Sequence, residues 1–100
     1  MIKVAILGYG TVGSGVFQII KENKELITNK AGQEIDIKYV LDLREFPGDP
    51  CENVLVHDYN IILNDPEVEV IIEVMGGLKP SYDFVKSALE AGKSVCTSNK

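Results

Sequence analysis

The segment Lys3-Val4-Ala5-Ile6-Leu7 is a short, mostly apolar run that stops at a glycine, and from Thr11 onward apolar residues recur at helical spacing. An apolar run without alternation is the pattern of a parallel strand covered on both faces. Between strand and helix stands Gly8-Tyr9-Gly10-Thr11-Val12-Gly13, a G-x-G-x-x-G text. Glycine is common, so the text alone is weak. Its place directly after a strand and in the first turn of an amphipathic helix gives it meaning as a dinucleotide site. There Gly8 permits the tight turn, Gly10 lets a pyrophosphate approach a backbone that carries no Cβ, and Gly13 lets helix and strand pack closely. The helix N-terminus at Thr11 and Val12 presents free N–H groups and partial positive charge to the phosphates.

The rest of the chain continues the alternation of strand and helix. In the first helix Val12, Val16, Ile19, Ile20 and Ile27 form the inward stripe, Lys21, Glu22, Lys24 and Glu25 the wet face, and the pattern fades before Gly32. Ile35, Ile37, Tyr39 and Leu41 alternate with Asp36, Lys38 and Val40, the period-two pattern of a half-buried strand. From Asp42 to Asn53, two prolines and a glycine predict a loop. Val54-Leu55-Val56 predicts a brief third strand, and Tyr59 to Leu63 a short helix ending near Asn64-Asp65-Pro66. Glu69 to Val74 predicts a fourth strand halted by Gly76-Gly77. Pro80 then opens a helix that turns Tyr82, Val85, Ala88 and Leu89 inward and is capped at Gly92, and Ser94 to Thr97 is a fifth strand. Such alternation implies crossover connections and an α/β class: a Rossmann-type doubly wound parallel sheet, truncated after its fifth strand, with residues 1–100 as one NAD(P)-binding domain.

Composition narrows the partners. With 45% apolar and 25% charged residues the chain is globular rather than disordered. Fifteen acidic against ten basic side chains leave a net charge of −5, and that field repels nucleic acid and anionic membranes. An anion held at the glycine turn is held by local backbone dipoles, so the acidic balance is no obstacle to it. The apolar runs fall far short of the ~20 residues that span a bilayer, and Met1 to Gly10 lacks the form of a signal peptide, so a cytosolic location is expected. Cys51 and Cys96 offer neither a metal spacing nor a disulfide framework and read as plain thiols; no metal site is expected.

Asp42 ends the second strand, where an acidic side chain accepts hydrogen bonds from the adenosine ribose and favours NAD; Arg44, two residues on, favours the 2′-phosphate of NADP. The two residues leave the choice between NAD and NADP open. Glu73-Val74-Met75-Gly76-Gly77 closes the fourth strand at the edge where ligands of open parallel sheets lie, and its glycines serve either a cofactor or the turn into the next helix. Lys100 follows the fifth strand in the same region, where a lysine can orient a carbonyl or hydroxyl and exchange a proton with it; taken alone it reads as a surface charge. His57, the only histidine, reads as a polar loop residue.

Three blocks of this text, Ile6 to Val16, Glu73 to Gly77 and Val95 to Lys100, closely resemble in order and spacing the N-terminal domain of homoserine dehydrogenase. The segment Leu41 to Pro50 also looks like versions of that family. The resemblance implies an NAD(P)-dependent oxidoreductase that interconverts L-homoserine and L-aspartate 4-semialdehyde, on the route to threonine, methionine and isoleucine. It implies that Gly10 to Gly13 hold the pyrophosphate, that Met75 and Gly76 lie along the cofactor, and that Thr97 approaches the nicotinamide end. It also implies that Lys100, the last residue of a Thr-x-Asn-Lys motif, contacts the cofactor and positions or exchanges a proton with the substrate. Ser98 stands where family members often carry alanine or proline.

The ending at Lys100, straight after a strand-like segment, reads as part of a longer chain. By the resemblance, a further catalytic lysine, the acidic residues that bind homoserine, the dimer-forming region and a metal site lie beyond it, so residues 1–100 alone are expected to be inactive and the parent a homo-oligomer. Two other readings share the fold: a dinucleotide-sensing module without chemistry, and the lobe of another amino-acid dehydrogenase such as one acting on aspartate.

Overall fold

A computed structural model describes residues 2–23, 32, 35–74 and 79–97. Among them, the strands Ile2–Leu7 (β1), Ile35–Leu41 (β2), Leu55–Val56 (β3), Val68–Glu73 (β4) and Ser94–Thr97 (β5) form one sheet in the order β3-β2-β1-β4-β5. All its pairings are parallel. The helices are Thr11–Glu22 (α1), Tyr59–Leu63 (α2) and Lys79–Glu90 (α3). Because β1 is followed by β2 on one side and β4 on the other, the strand order reverses beside β1, and a crevice opens there at the carboxyl edge.

The uninterrupted apolar text of β1 is explained by two cores, one on each face. Ile6 packs with Phe17, Ile37 and Val40 on the α1 side. Ala5 and Leu7 pack with Tyr59, Ile62 and Ala88 on the side of α2 and α3. Ile6 and Leu7 are fully buried, each contributing about 1.5–3 kcal/mol of hydrophobic stabilisation.

The expected alternation in β2 breaks at one residue. Val4 pairs with Ile37 but Ala5 pairs with Tyr39, so Lys38 is surplus in the ladder. A bulge of this kind reverses which face each later residue takes. Ile37 and Val40 therefore reach the α1 core, while Tyr39 and Leu41 reach the other, and Val40 is buried rather than outward. Glu69 is surplus in the same way in β4. The Lys38 ammonium bonds the carboxylates of Asp65 at 2.6 Å and Glu67 at 2.7 Å, and the Tyr39 hydroxyl donates to Asp65 at 2.8 Å.

Three further expectations are corrected. Val12 and Ile19 are not inward: they are 56% and 58% exposed, and the buried residues of α1 are Gly13 and Phe17. Gly13 rests on the Gly8 carbonyl just past β1, and Val12 and Ile19 lie about 100° and 120° round the helix from it. In α3 the small residue Ala88 is fully buried, and Leu89, about 100° round the helix from it, is exposed. Within the predicted loop, Pro50–Val54 forms a 3₁₀ helix: the Asp49 carboxylate caps it by accepting from the Cys51 amide at 3.0 Å, and Pro50 supplies a preset φ at its start. Asn23 ends α1, its amide donating to the Ile19 carbonyl; Lys24, Glu25 and Ile27 lie outside the described residues, as does the side chain of Tyr82.

The end of α3 is as expected. The Gly92 amide donates to the Leu89 carbonyl and the Lys93 amide to that of Ala88, the paired bonds of a Schellman turn. The buried ammonium of Lys93 then donates to the carbonyls of Asp65 at 2.7 Å and Val68 at 2.8 Å, fastening the start of β5 to the start of β4.

Candidate functional site

Parallel strands end at one edge, so Gly8, Asp42, His57 and Val74, each the first residue after a strand, converge. They line a cleft of about 460 Å³ together with Tyr9, Gly10 and Arg44.

The glycine turn has the shape its text predicts. Gly8 adopts φ +99°, a conformation that strains any other L-residue, and its amide donates to the Leu41 carbonyl at 2.7 Å. At Gly13 a Cβ would stand 1.9 Å from the Gly8 carbonyl oxygen, so only glycine lets α1 come down onto the turn. Gly10 is the N-cap of α1, with no side-chain cap and no acidic residue in the first turn. The first helical bond is from the Ser14 amide to the Gly10 carbonyl, so the amides of Thr11, Val12 and Gly13 precede the helical ladder and point out of it. Exposure of Thr11 and Val12 is what a residue at the mouth of such a site requires.

Asp42 and Arg44, read from the sequence as competing signals, are bonded to each other. The Asp42 carboxylate accepts from the Arg44 amide at 2.9 Å, Nε at 3.0 Å and Nη2 at 2.9 Å, and from the Tyr9 amide at 2.9 Å. Four donors occupy about all of its acceptor positions. The Arg44 guanidinium, with these amides, holds the Asp42 carboxyl at about 2. Arg44 stays mostly exposed, lies over the ring of Phe46 at 5.2 Å, and is the nearest group to where a Cβ on Gly10 would stand, at 4.0 Å. The guanidinium thus overlooks the glycine turn.

Two cleft residues were not identified as functional from the sequence. His57 bonds the Asp42 carbonyl through Nδ1 at 2.6 Å and the Glu45 carboxylate through Nε2 at 2.9 Å, and these acceptors raise its pKa. Its signal was its place directly after a strand at the carboxyl edge. Tyr9, an unspecified position of the glycine motif, is buried, and its hydroxyl donates to Asp49 at 2.6 Å. Thr97 is the last residue of β5, its backbone in register with the fully buried Glu73 at the same edge. Met75, Gly76, Gly77 and Lys100 lie outside the described residues. Cys51 is buried, which pushes its thiol up to about 11, and Cys96 is exposed; both are free.

An uncapped helix N-terminus, a backbone bare of Cβ atoms facing it, and a carboxylate–guanidinium pair at the end of β2 fit the phosphates and ribose of a dinucleotide. The fold and this site together define a dinucleotide-binding Rossmann domain.

Residues 8–100 match the family model of the homoserine dehydrogenase NAD-binding domain, and the chain belongs to that family. Its dinucleotide is NAD or NADP. The chain is 38% identical over 102 residues to the homoserine dehydrogenase of Bacillus subtilis, covering 99% of this chain and 24% of that one. The crystal structure of S. aureus homoserine dehydrogenase at pH 7.0 superposes with a TM-score of 0.87 at 41% identity, covering 99% of this chain and 26% of that one. That of the Thiobacillus denitrificans enzyme gives 0.84 at 34%, covering 98% and 23%. The chain spans about a quarter of the length of these relatives. Among the described residues no helix is long and apolar enough to cross a membrane.

Proposed function

We propose that this chain is the cofactor-binding domain of a homoserine dehydrogenase that interconverts L-homoserine and L-aspartate 4-semialdehyde, and that it takes NADP in preference to NAD. The observation that carries this reading is the glycine turn standing across one cleft from the Asp42–Arg44 pair, in a chain matched to that family from residue 8 to residue 100.

The preference follows from occupancy. A ribose 2′-hydroxyl needs an acceptor on Asp42, and Arg44 already fills that carboxylate. A 2′-phosphate needs donors and positive charge. Of the five N–H donors of Arg44, those outside the Nε and Nη2 bonds remain for it, and the ion pair offsets the carboxylate charge that would repel a phosphate. The nicotinamide, when bound, accepts or returns the hydride. This chain's part is to seat the pyrophosphate on the amides of Thr11, Val12 and Gly13 and to shape the cleft with Gly8, Gly10 and Val74. Met75 and Gly76 continue from β4 along the cofactor, and Thr97 approaches its nicotinamide end. Lys100, three residues past Thr97, is the group that orients the substrate oxygen and exchanges its proton. Residues 1–100 act as one domain of a cytosolic enzyme whose remaining length supplies the substrate pocket and the contact between subunits.

Spectrophotometric assay of the full-length protein tests the reaction: turnover with homoserine supports it, and turnover with aspartate alone overturns it. Fluorescence titration with NADPH and NADH tests the preference. Arg44→Ala is expected to weaken NADPH about tenfold or more and NADH much less; an unchanged NADPH-to-NADH affinity ratio refutes the role given to Arg44.

A further inference from the structure

Tyr9 grips the connection after β2 at three points. Its amide donates to the Asp42 carboxylate at 2.9 Å. Its ring meets that of Phe46 edge-on at 4.9 Å, and that of Phe17 in α1 at 5.7 Å. Its hydroxyl donates at 2.6 Å to Asp49, whose same oxygen caps the 3₁₀ helix. The face of Phe46 carries the Arg44 guanidinium at 5.2 Å, and that guanidinium returns to Asp42. The contacts therefore close a circuit: Tyr9, Phe46, Arg44, Asp42 and back to the amide of Tyr9. Only Arg44 in this circuit is mostly exposed, and it stands over Gly10.

We infer that Tyr9 is a positioning residue that sets the discrimination between NADP and NAD, by holding the Asp42–Asp49 connection so that Arg44 waits over the glycine turn already ordered. An arginine on a loose loop loses rotamer freedom when it closes on a phosphate; one held against an aromatic face has lost that freedom beforehand, and the ligand binds more tightly for it. NADH, which lacks the 2′-phosphate, draws no benefit from Arg44 being ordered. Loosening the circuit therefore acts on the ratio of the two affinities rather than on both equally. This inference rests on the reading of Arg44 as the 2′-phosphate group given above.

The test is fluorescence titration of the full-length protein with NADPH and with NADH, for wild type, Tyr9→Phe, Phe46→Leu and Arg44→Ala. Tyr9→Phe removes the bond to Asp49 and keeps the ring; Phe46→Leu removes the aromatic face and keeps apolar bulk. Each is expected to lower the NADPH-to-NADH affinity ratio about three- to tenfold, the worth of one hydrogen bond or ring contact. In an Arg44→Ala background neither is expected to lower it further, because the group they position is gone. A ratio within twofold of wild type in both Tyr9→Phe and Phe46→Leu, while Arg44→Ala collapses it, overturns the inference and leaves the role of Arg44 standing. An unchanged ratio in Arg44→Ala overturns the role of Arg44 and the inference with it. Should Tyr9→Phe fail to give the wild-type circular dichroism spectrum, Phe46→Leu decides alone.

Discussion

Tyr9 and Asp42 lie 33 residues apart in sequence, and the amide of one donates to the carboxylate of the other at 2.9 Å. The bond ties the glycine turn to the end of β2, so the two halves of the cleft hold their spacing before any ligand arrives. It also makes Asp42 a structural group of the cleft.

That structural role shows in acid. Asp42 is held at about 2 by Arg44 and the amides it accepts from, and Asp65 at about 2 by Lys38, Tyr39 and the Glu67 amide, both below the ordinary 3.8. A carboxylate with a lowered folded-state pKa binds its proton more readily when unfolded, so its stabilisation is complete above about pH 4 and is lost as the pH falls towards 2. Urea midpoints measured across that window are expected to fall steadily in wild type. The decline is expected to be shallower in Asp42→Asn and Asp65→Asn, which start lower at pH 7; slopes equal to wild type in both would show that neither carboxylate is responsible.

Gly13 and Gly15 sit two residues apart in α1 and are expected to respond oppositely to alanine. At Gly13 the added carbon would meet the Gly8 carbonyl at 1.9 Å, and the obstacle is backbone; overpacking of this kind costs about 1–3 kcal/mol and displaces the turn, so NADPH binding weakens too. At Gly15 nothing stands within 4 Å, and alanine in a helix interior adds about 0.5–1 kcal/mol of stability. Urea denaturation of both variants checks the pair. Equal effects in both would mean that α1 does not rest on Gly13.

Lys93 makes a third case. Replacing it with methionine keeps most of the buried stem but strips the carbonyls of Asp65 and Val68 of their donor. A loss of about 1.5–3 kcal/mol is expected, read as a lower urea midpoint with an unchanged m-value. A loss under about 0.5 kcal/mol would mean that water replaces the ammonium at no cost.

Much of this architecture was legible from residues alone because the signals were local. The helix Tyr59–Leu63 ends before the proline at 66 as read, its start capped by Asp58, and Ser94–Thr97 is the fifth strand at the limits its text suggested. What escaped were relations between distant segments. The rotation of α1 is set by a glycine meeting a carbonyl, and a glycine adds nothing to an apolar stripe, so the stripe points to Val12 and Ile19 while Phe17 is the residue buried. The site divided along the same line. The glycine turn was readable because three residues in six carry it. The bonding of Asp42 to Arg44, the place of His57 against the Asp42 carbonyl and the hold of Tyr9 on Asp49 depend on how β1, β2 and the connection after β2 meet in space.

The surplus residue in β2 reaches further than the core. Counting back from Asp42, every side chain up to Tyr39 owes its direction to the parity that Lys38 introduces. A regular ladder that took Lys38 in as a rung would send Leu41 to the wrong layer and turn the Asp42 carboxylate to the opposite side of the sheet, away from the Tyr9 amide it accepts from. The side of the sheet on which Asp42 meets the glycine turn is thus set four positions upstream, by a lysine whose ammonium is bonded to Asp65 and Glu67.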